Sequence, residues 1–360
     1  MKIYRLAVIP ADGIGPEVLA ESVQTLISLA AVHQGLQFDL QHFDWGTQRY
    51  LREGALMPTG GLTALEHGGF DGILLGPVGD PRVPDHITLW GLVLPLRQVF
   101  DQYVNLRPVR LLPGIHSPLA GKSPGDIDIV CVRENTEGEY AGAGGGVHQG
   151  KAEEVAIQST IFTRQGTERI IRYSFEYARR SGRKKVTSAT KSNSMQYTMP
   201  FWDQIFHTVA ASYPELAHEQ QLIDSLSARF VSSPESLDVV VASNLFGDIL
   251  TDLGAAISGS MGLAPSANLN PERRYPSLFQ AIHGSAPDIA GKGIANPIAS
   301  LWSAQMLLEF LGEQEAAMLL MGAIEAVLAH GQVRTPDLGG QATTRELGEA
   351  VRQQMRRMAL

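Results

Sequence analysis

Two aspartates four positions apart, Asp248 and Asp252, close a stretch that begins Ser243-Asn244-Leu245-Phe246-Gly247. On a helix that spacing projects both carboxylates from one face. Like charges so placed repel unless a cation lies between them, and hard divalent ions such as Mg2+ take oxygen ligands while keeping waters that a substrate can displace. A plainer reading also stands: solvated acids near a helix N-terminus, where the dipole favours them. Three arginines sit in apolar company, Arg97 after Leu94-Pro95-Leu96, Arg107 after Val104-Asn105-Leu106 and Arg133 after Val130-Cys131-Val132. A guanidinium at the end of an apolar strand is costly unless it meets an anion, and its fork matches a carboxylate. Structural ion pairs or a small polycarboxylate ligand would both satisfy them. Tyr140 and Lys191 can serve as acid and base if burial and nearby charge shift their pKa values; read alone, each is equally a surface or packing residue.

These groups need a frame. Apolar runs alternate with helical patterns along the whole chain, which argues α/β. Strands are expected at 5–9, 72–76, 127–132, 155–162 and 237–242, and helices from Pro16 onward and at 165–180, 200–213, 245–257, 297–311 and 313–328. Proline suits the first helical turn, where its missing N–H has no partner anyway. Thr343 and Glu346 have capping-box spacing and mark the start of a last helix. The glycine-rich run 142–146 reads as a loop or arm, and no compositional linker separates domains, so the chain is expected to cross between them inside continuous elements. The first turn, Asp12-Gly13-Ile14-Gly15-Pro16-Glu17, lacks the third glycine of the ordinary Rossmann fingerprint. Walker, H-E-x-x-H and G-x-S-x-G motifs are absent too.

At 360 residues the chain exceeds one ordinary core, so two domains are expected. With 44% hydrophobic and 18% charged residues it is a compact folding chain. The balance of 29 basic against 37 acidic residues, net −8, argues against nonspecific nucleic-acid binding or adhesion to anionic membrane. A single cysteine, Cys131, excludes an internal disulfide or thiolate zinc cluster and suits a reducing compartment. No run approaches the ~18 apolar residues of a spanning helix, and the N-terminal run reads as a strand entering a turn rather than a secretion signal. The expected location is the cytoplasm.

Residues 244–254 continuing to 259–263, with the blocks 133–140, 283–289 and 334–340, resemble the metal-dependent β-decarboxylating dehydrogenases, the family of isocitrate and isopropylmalate dehydrogenases. The likeness covers essentially the whole chain. Segments 86–91, 100–107, 188–193 and 266–273 are most similar to the branch acting on tartrate and D-malate, although 91–95, Gly-Leu-Val-Leu-Pro, departs from the Gly-Ser-Leu-Leu-Lys expected there. The resemblance implies an isopropylmalate dehydrogenase-like two-domain α/β fold, with non-Rossmann dinucleotide binding and an active site in the interdomain cleft. Residues 1–101 and 260–360 would form the cofactor-binding domain. An inserted segment, 102–259, would bind substrate and make a homodimer.

The implied reaction is NAD-dependent oxidative decarboxylation of a small 2-hydroxy diacid, D-malate or tartrate. By the same resemblance Arg97, Arg107 and Arg133 bind substrate carboxylates, and Asp248 and Asp252, with Asp224 of the partner subunit, hold Mg2+ or Mn2+. Lys191 of the partner subunit takes the hydroxyl proton and Tyr140 returns one at C3. Gly13, Ile14, Asn193, His283, Gly284, Ser285, Ala286, Asp288, Ile289 and Asn296 line the NAD site. Asp288, placed to accept from the ribose hydroxyls, would select NAD over NADP. A need for K+ stays open. Trp90 suits a small unbranched acid, while Leu92, Val93 and Leu94 as a greasy lining would suit 3-isopropylmalate, the second reading. Outside this class, the acid pair with Mg2+ would fit phosphoryl transfer, against which the missing phosphate loop argues. A silent binding subunit would need gaps in the catalytic positions, and all are filled.

Overall fold

The computed structural model describes residues 2–33 and 35–359. It forms a mixed α/β chain of two compact units. One comprises Met1–Gln102, Pro108–Ile127 and Ala255–Leu360; the other comprises Tyr103–Arg107 and Asp128–Gly254. Membership changes within strand Val104–Arg110 and within helix Asn244–Ile257, so no flexible linker is required there. Residues 102, 108–127 and 255–259, expected from the sequence in the inserted segment, lie with the first unit.

In the first unit strand Lys2–Ile9 runs parallel to Leu36–His42 on one side and to Gly72–Leu75 on the other. Ser277–Ala281 pairs in parallel with Gly72–Leu75, and Pro265–Leu269 adds an antiparallel strand. Leu6 to Ile9 and all of Gly72–Leu75 are buried, the near-continuous apolar runs that a strand covered on both faces demands. Leu36–His42, with Gln37, Asp39 and Gln41, is a polar edge strand that apolar patterning does not reveal. Helix Ile298–Leu311 is buried from Ile298 through Leu308, a helix apolar all round because it lies inside the core. The last helix, Thr344–Met358, opens with the expected capping box: Thr343 N donates to Glu346 Oε2 at 2.8 Å, and Glu346 N to Thr343 Oγ1 at 3.2 Å.

In the second unit Asp128–Glu134, Val239–Ala242, Lys185–Thr190 and Ala217–Leu222 lie side by side, all parallel, with Val239 opposite both Val130 and Val186. Helix Arg164–Arg180 is capped by Thr163, whose Oγ1 accepts from Gly166 N at 2.9 Å. The glycine-rich run becomes strand Gly144–Val147, which forms an antiparallel hairpin with Val155–Gln158; every residue of both strands is exposed. Among the described residues no helix is long and apolar enough to cross a membrane.

Candidate active site

Helix Asn244–Ile257 starts two residues after strand Val239–Ala242 and carries both aspartates. Asp248 Oδ1 accepts from Arg133 Nη1 and, at 3.2 Å, from Arg107 Nη1, while Oδ2 accepts from the Tyr140 hydroxyl at 3.2 Å. Arg107 is 3% exposed and Arg133 1%, so one carboxylate answers two buried cations, as the desolvation of a guanidinium requires. Burial, then the like charge of Arg133, bring the Arg107 pKa down to about 10, against the pull of Asp248 and Asp252. It stays charged at neutral pH. Arg107 Nη1 also donates to Thr251 Oγ1 at 2.6 Å. Asp252, one turn beyond, faces solvent; desolvation and then Asp248 raise its carboxyl above the usual range. The two acids therefore share a face, but they differ: Asp248 is paired and Asp252 opens outward.

Three glutamates brace the loop that delivers Tyr140. Glu134 accepts from Thr136 N at 2.9 Å, Thr136 Oγ1 at 2.8 Å and Glu137 N at 2.9 Å. Glu137 accepts from Thr163 N at 2.9 Å and Thr163 Oγ1 at 2.8 Å, and Glu139 from Ser243 Oγ and Leu245 N, both at 3.0 Å. Glu139 thus puts a carboxylate on an orphan N–H, that of Leu245, at the start of the helix bearing Asp248. Sequence reasoning gave these glutamates, Asn244 and Thr251 no role; their presence in the same motif segments was the only signal. Desolvation, followed by Asp248, raises the Tyr140 pKa and keeps its hydroxyl protonated at neutral pH.

Burial lifts Glu134 to about 7, against its backbone donors. Because the folded value exceeds the unfolded one, its contribution is full below about pH 4.5 and is lost as pH rises to about 7. The stability advantage of wild type over Glu134→Gln should therefore shrink by about 3 kcal/mol across that window, measured by urea unfolding at each pH. A constant difference would contradict the assignment.

Lys191 and Asp224 are joined to each other, Nζ to Oδ1 at 2.7 Å, and Lys191 holds the Asp224 carboxyl below its usual range. Asp224 stands in the first turn of helix Ile223–Ser232 and is exposed. Asn193 is exposed as well. Among the described residues no three His, Cys, Asp or Glu side chains are grouped to hold a metal. One chain thus brings two carboxylates, Asp248 and Asp252, to a single face. Arg97 is buried in the first unit, on helix Leu94–Val99.

In the first unit the turn 12–15 docks on Ser285, whose carbonyl accepts from Ile14 N at 2.9 Å. Gly13 has φ +57°, and a Cβ there would lie 1.9 Å from Ser285 O. Asp12 is structural: its buried carboxylate accepts from Thr47 N, Thr47 Oγ1 and Gly79 N at 2.8, 2.6 and 2.9 Å. Ile14, Val18 and Ala295 form a small apolar cluster joined by Ala286, Ile289 and Ala290. Ala286 itself has φ +42°, backbone strain of the kind that gathers at ligand clamps. Asn296 Nδ2 donates to Asp337 Oδ2 at 2.9 Å. Desolvation lowers the His283 pKa, which leaves the ring neutral, with a buried Nε2 that has no hydrogen-bond partner among the described residues. Gly284 and Asp288 are exposed. Gly13→Ala should cost about 1–3 kcal/mol of stability by forcing the turn off Ser285, read as a lower urea midpoint; an unchanged midpoint would contradict this packing.

The sequence profile of the isocitrate/isopropylmalate dehydrogenase family matches residues 5–351. The chain belongs to that family. It is 53% identical over 358 residues to the D-malate dehydrogenase (decarboxylating) of Escherichia coli strain K12, covering 98% of each chain. It is 51% identical over 363 residues to the tartrate dehydrogenase/decarboxylase of Pseudomonas putida, covering 99% of this chain and 98% of the relative. The crystal structure of isocitrate dehydrogenase from Methylococcus capsulatus matches with TM-score 0.87 at 35% identity, over 98% of this chain and 99% of that one.

In this isocitrate/isopropylmalate dehydrogenase family member the segment that departs from its branch is a π-helical turn, Leu89–Val93, between helices Asp85–Thr88 and Leu94–Val99. A Cβ at Gly91 would fall 2.2 Å from Leu56 Cδ1, so a larger residue there requires the Leu56 side chain to move. Leu92 and Val93 turn into the core with Leu56, Leu65 and Phe100, and Leu94 is buried too. Trp90 is 43% exposed.

Proposed function

We propose that the protein is an NAD- and divalent-metal-dependent dehydrogenase that oxidises and decarboxylates a four-carbon 2-hydroxy diacid, converting D-malate to pyruvate and CO2 or acting on a tartrate isomer. The observation that carries this reading is Asp248 between two buried guanidiniums, beside a protonated tyrosine and one turn from a second carboxylate. The two names borne by the full-length relatives at about half identity point the same way. Arg107 and Arg133 neutralise substrate carboxylates, and Arg97 is assigned the same task. Asp248 and Asp252 are hard oxygen donors on one face, which fits Mg2+ or Mn2+, and the partner subunit's Asp224 completes the protein ligands. When bound, the ion acts as a Lewis acid on the substrate oxygens. NAD, when bound, would supply the hydride acceptor for C2.

The partner subunit's Lys191 removes the hydroxyl proton, and Tyr140 supplies one to C3 as the carboxylate leaves as CO2. One proton is taken and one given, so malate and NAD+ balance pyruvate, CO2 and NADH. Ile14, Asn193, His283, Gly284, Ser285, Ala286, Ile289 and Asn296 would hold the cofactor. Asp288 repels a 2′-phosphate and selects NAD. A K+ requirement is read from the same assay with and without the ion.

The dimer reading is supported by the hairpin. Val147, Val155 and Ile157 are 56%, 45% and 62% exposed, and a two-stranded hairpin is marginal alone. Ile157→Asp should shift sedimentation to the monomer and remove activity together. The lone buried Cys131 suits the cytoplasm.

Four-carbon acids are favoured over 3-isopropylmalate because the relatives at about half identity over nearly the whole chain carry the names of D-malate and tartrate enzymes. The test is kcat/KM for D-malate, L-tartrate, meso-tartrate and 3-isopropylmalate at fixed NAD and Mn2+, repeated with NADP. A four-carbon acid with NAD should lead by about tenfold or more, the scale of pocket discrimination. Leadership by 3-isopropylmalate or by NADP would overturn the corresponding assignment.

A further inference from the structure

Arg133 is held on four sides. Its stem lies across Gly247, where a Cβ would come within 2.6 Å of Arg133 Cβ. The Tyr140 ring lies against the guanidinium, its centroid 5.6 Å from Cζ. Nη1 donates to Asp248 Oδ1. Nε and Nη2 both donate to a single atom, Asn244 Oδ1, at 3.0 and 2.7 Å. Asn244 cannot turn its amide over, because Nδ2 donates to the Glu137 carbonyl at 3.0 Å and a flip would set donors against donors.

A guanidinium offers five N–H bonds in a rigid fork. It has two edges that can make a bidentate contact, Nε–Nη2 and Nη1–Nη2; with the first on Asn244, the second is the one that remains, its Nη1 also donating to Asp248 Oδ1. We propose that Asn244 is a positioning residue: by occupying the Nε–Nη2 edge of Arg133 it aims the Nη1–Nη2 edge as the sole bidentate contact for a substrate carboxylate. The inference rests on the reading of Arg133 as a carboxylate-binding residue. Asn244 therefore acts on carboxylate affinity, through Arg133, and not on proton transfer at Tyr140. It also makes the side chain at 133 specific, since a lysine has no second edge for Asn244 to hold.

The probe is malonate, an unreactive dicarboxylate, titrated by calorimetry into wild type, Asn244→Leu, Arg133→Gln and the double variant. Asn244→Leu should raise the malonate Kd about tenfold, as loss of a charge-assisted contact does. It should raise the KM of the reacting acid similarly while kcat stays within about threefold, a split that general loosening of the fold would not give. In the Arg133→Gln background the same change should add nothing. A malonate Kd within twofold of wild type, losses that multiply in the double variant, or no malonate binding by wild type would each overturn the proposal. Should Asn244→Leu fail to fold, the wild type still decides: the Arg133 Nε–H must stay protected from exchange when malonate binds, and loss of that protection counts against it. If wild type turns over no 2-hydroxy diacid yet Asn244→Leu weakens malonate, the proposed activity fails and this inference stands. If wild type turns the acid over while the variant leaves malonate binding unaffected, the activity stands and this inference fails.

Discussion

Asp248→Asn should lose turnover by at least about a thousandfold, in line with removing an element of charge stabilisation at a reacting centre, and should also destabilise the protein. The second effect follows from what Asp248 faces. Its Oδ1 accepts from two guanidiniums that are 4% and 1% exposed at their side chains. Without the negative charge they are left as like charges in a poorly solvated site. Breaking a fully buried pair costs about 3–5 kcal/mol; Asp248 is itself 36% exposed, so about 2–4 kcal/mol is expected. Asp252→Asn gives the contrast. It too should abolish turnover, yet it relieves a partly desolvated carboxyl repelled by Asp248, which Arg107 and Arg133 offset only in part, so the melting midpoint should hold or rise. Thermal unfolding of both variants checks the pair. Equal destabilisation would mean that the two carboxylates do the same job, against the geometry.

Tyr140→Phe should lower complete oxidative decarboxylation by about 10²- to 10⁴-fold, the usual scale of general acid catalysis. Reduction of the preformed keto acid by NADH, which needs no proton at C3, should fall by no more than about tenfold. The hydroxyl is suited to the task because desolvation and the neighbouring Asp248 carboxylate keep it protonated. Its contact with Asp248 Oδ2 also fixes where the proton is offered. Phenylalanine keeps the ring against Arg133, so substrate affinity should change little. Equal losses in both assays would assign Tyr140 to binding rather than to the proton step.

The sequence announces some of this arrangement directly. The i,i+4 spacing of Asp248 and Asp252 is a helix-face relation, and Arg133 at the end of an apolar strand needs an anion; both are local facts. Their meeting is not local. That Asp248 answers Arg107 and Arg133 depends on the neighbouring placement of strands Asp128–Glu134 and Val239–Ala242, which no spacing encodes. The same holds for Glu139 at the start of helix Asn244–Ile257, and for Gly247 and Gly91, whose missing side chains matter only once Arg133 and Leu56 lie beside them. Polar edge strands such as Leu36–His42 and Ala217–Leu222 escape apolar patterning because a half-solvated strand has little apolar signal. The π-helical turn Leu89–Val93 likewise has no local signal, since Leu92 and Val93 pack with Leu56 and Leu65 from distant parts of the chain.

The most direct measurement follows NADH and CO2 together after purified protein is mixed with D-malate, NAD and Mn2+. Equal amounts of both products, halted by a metal chelator and restored by added Mn2+, are the predicted result. NADH without CO2, or turnover indifferent to the chelator, would contradict an enzyme in which Asp248 and Asp252 would hold a divalent ion that assists loss of a carboxylate.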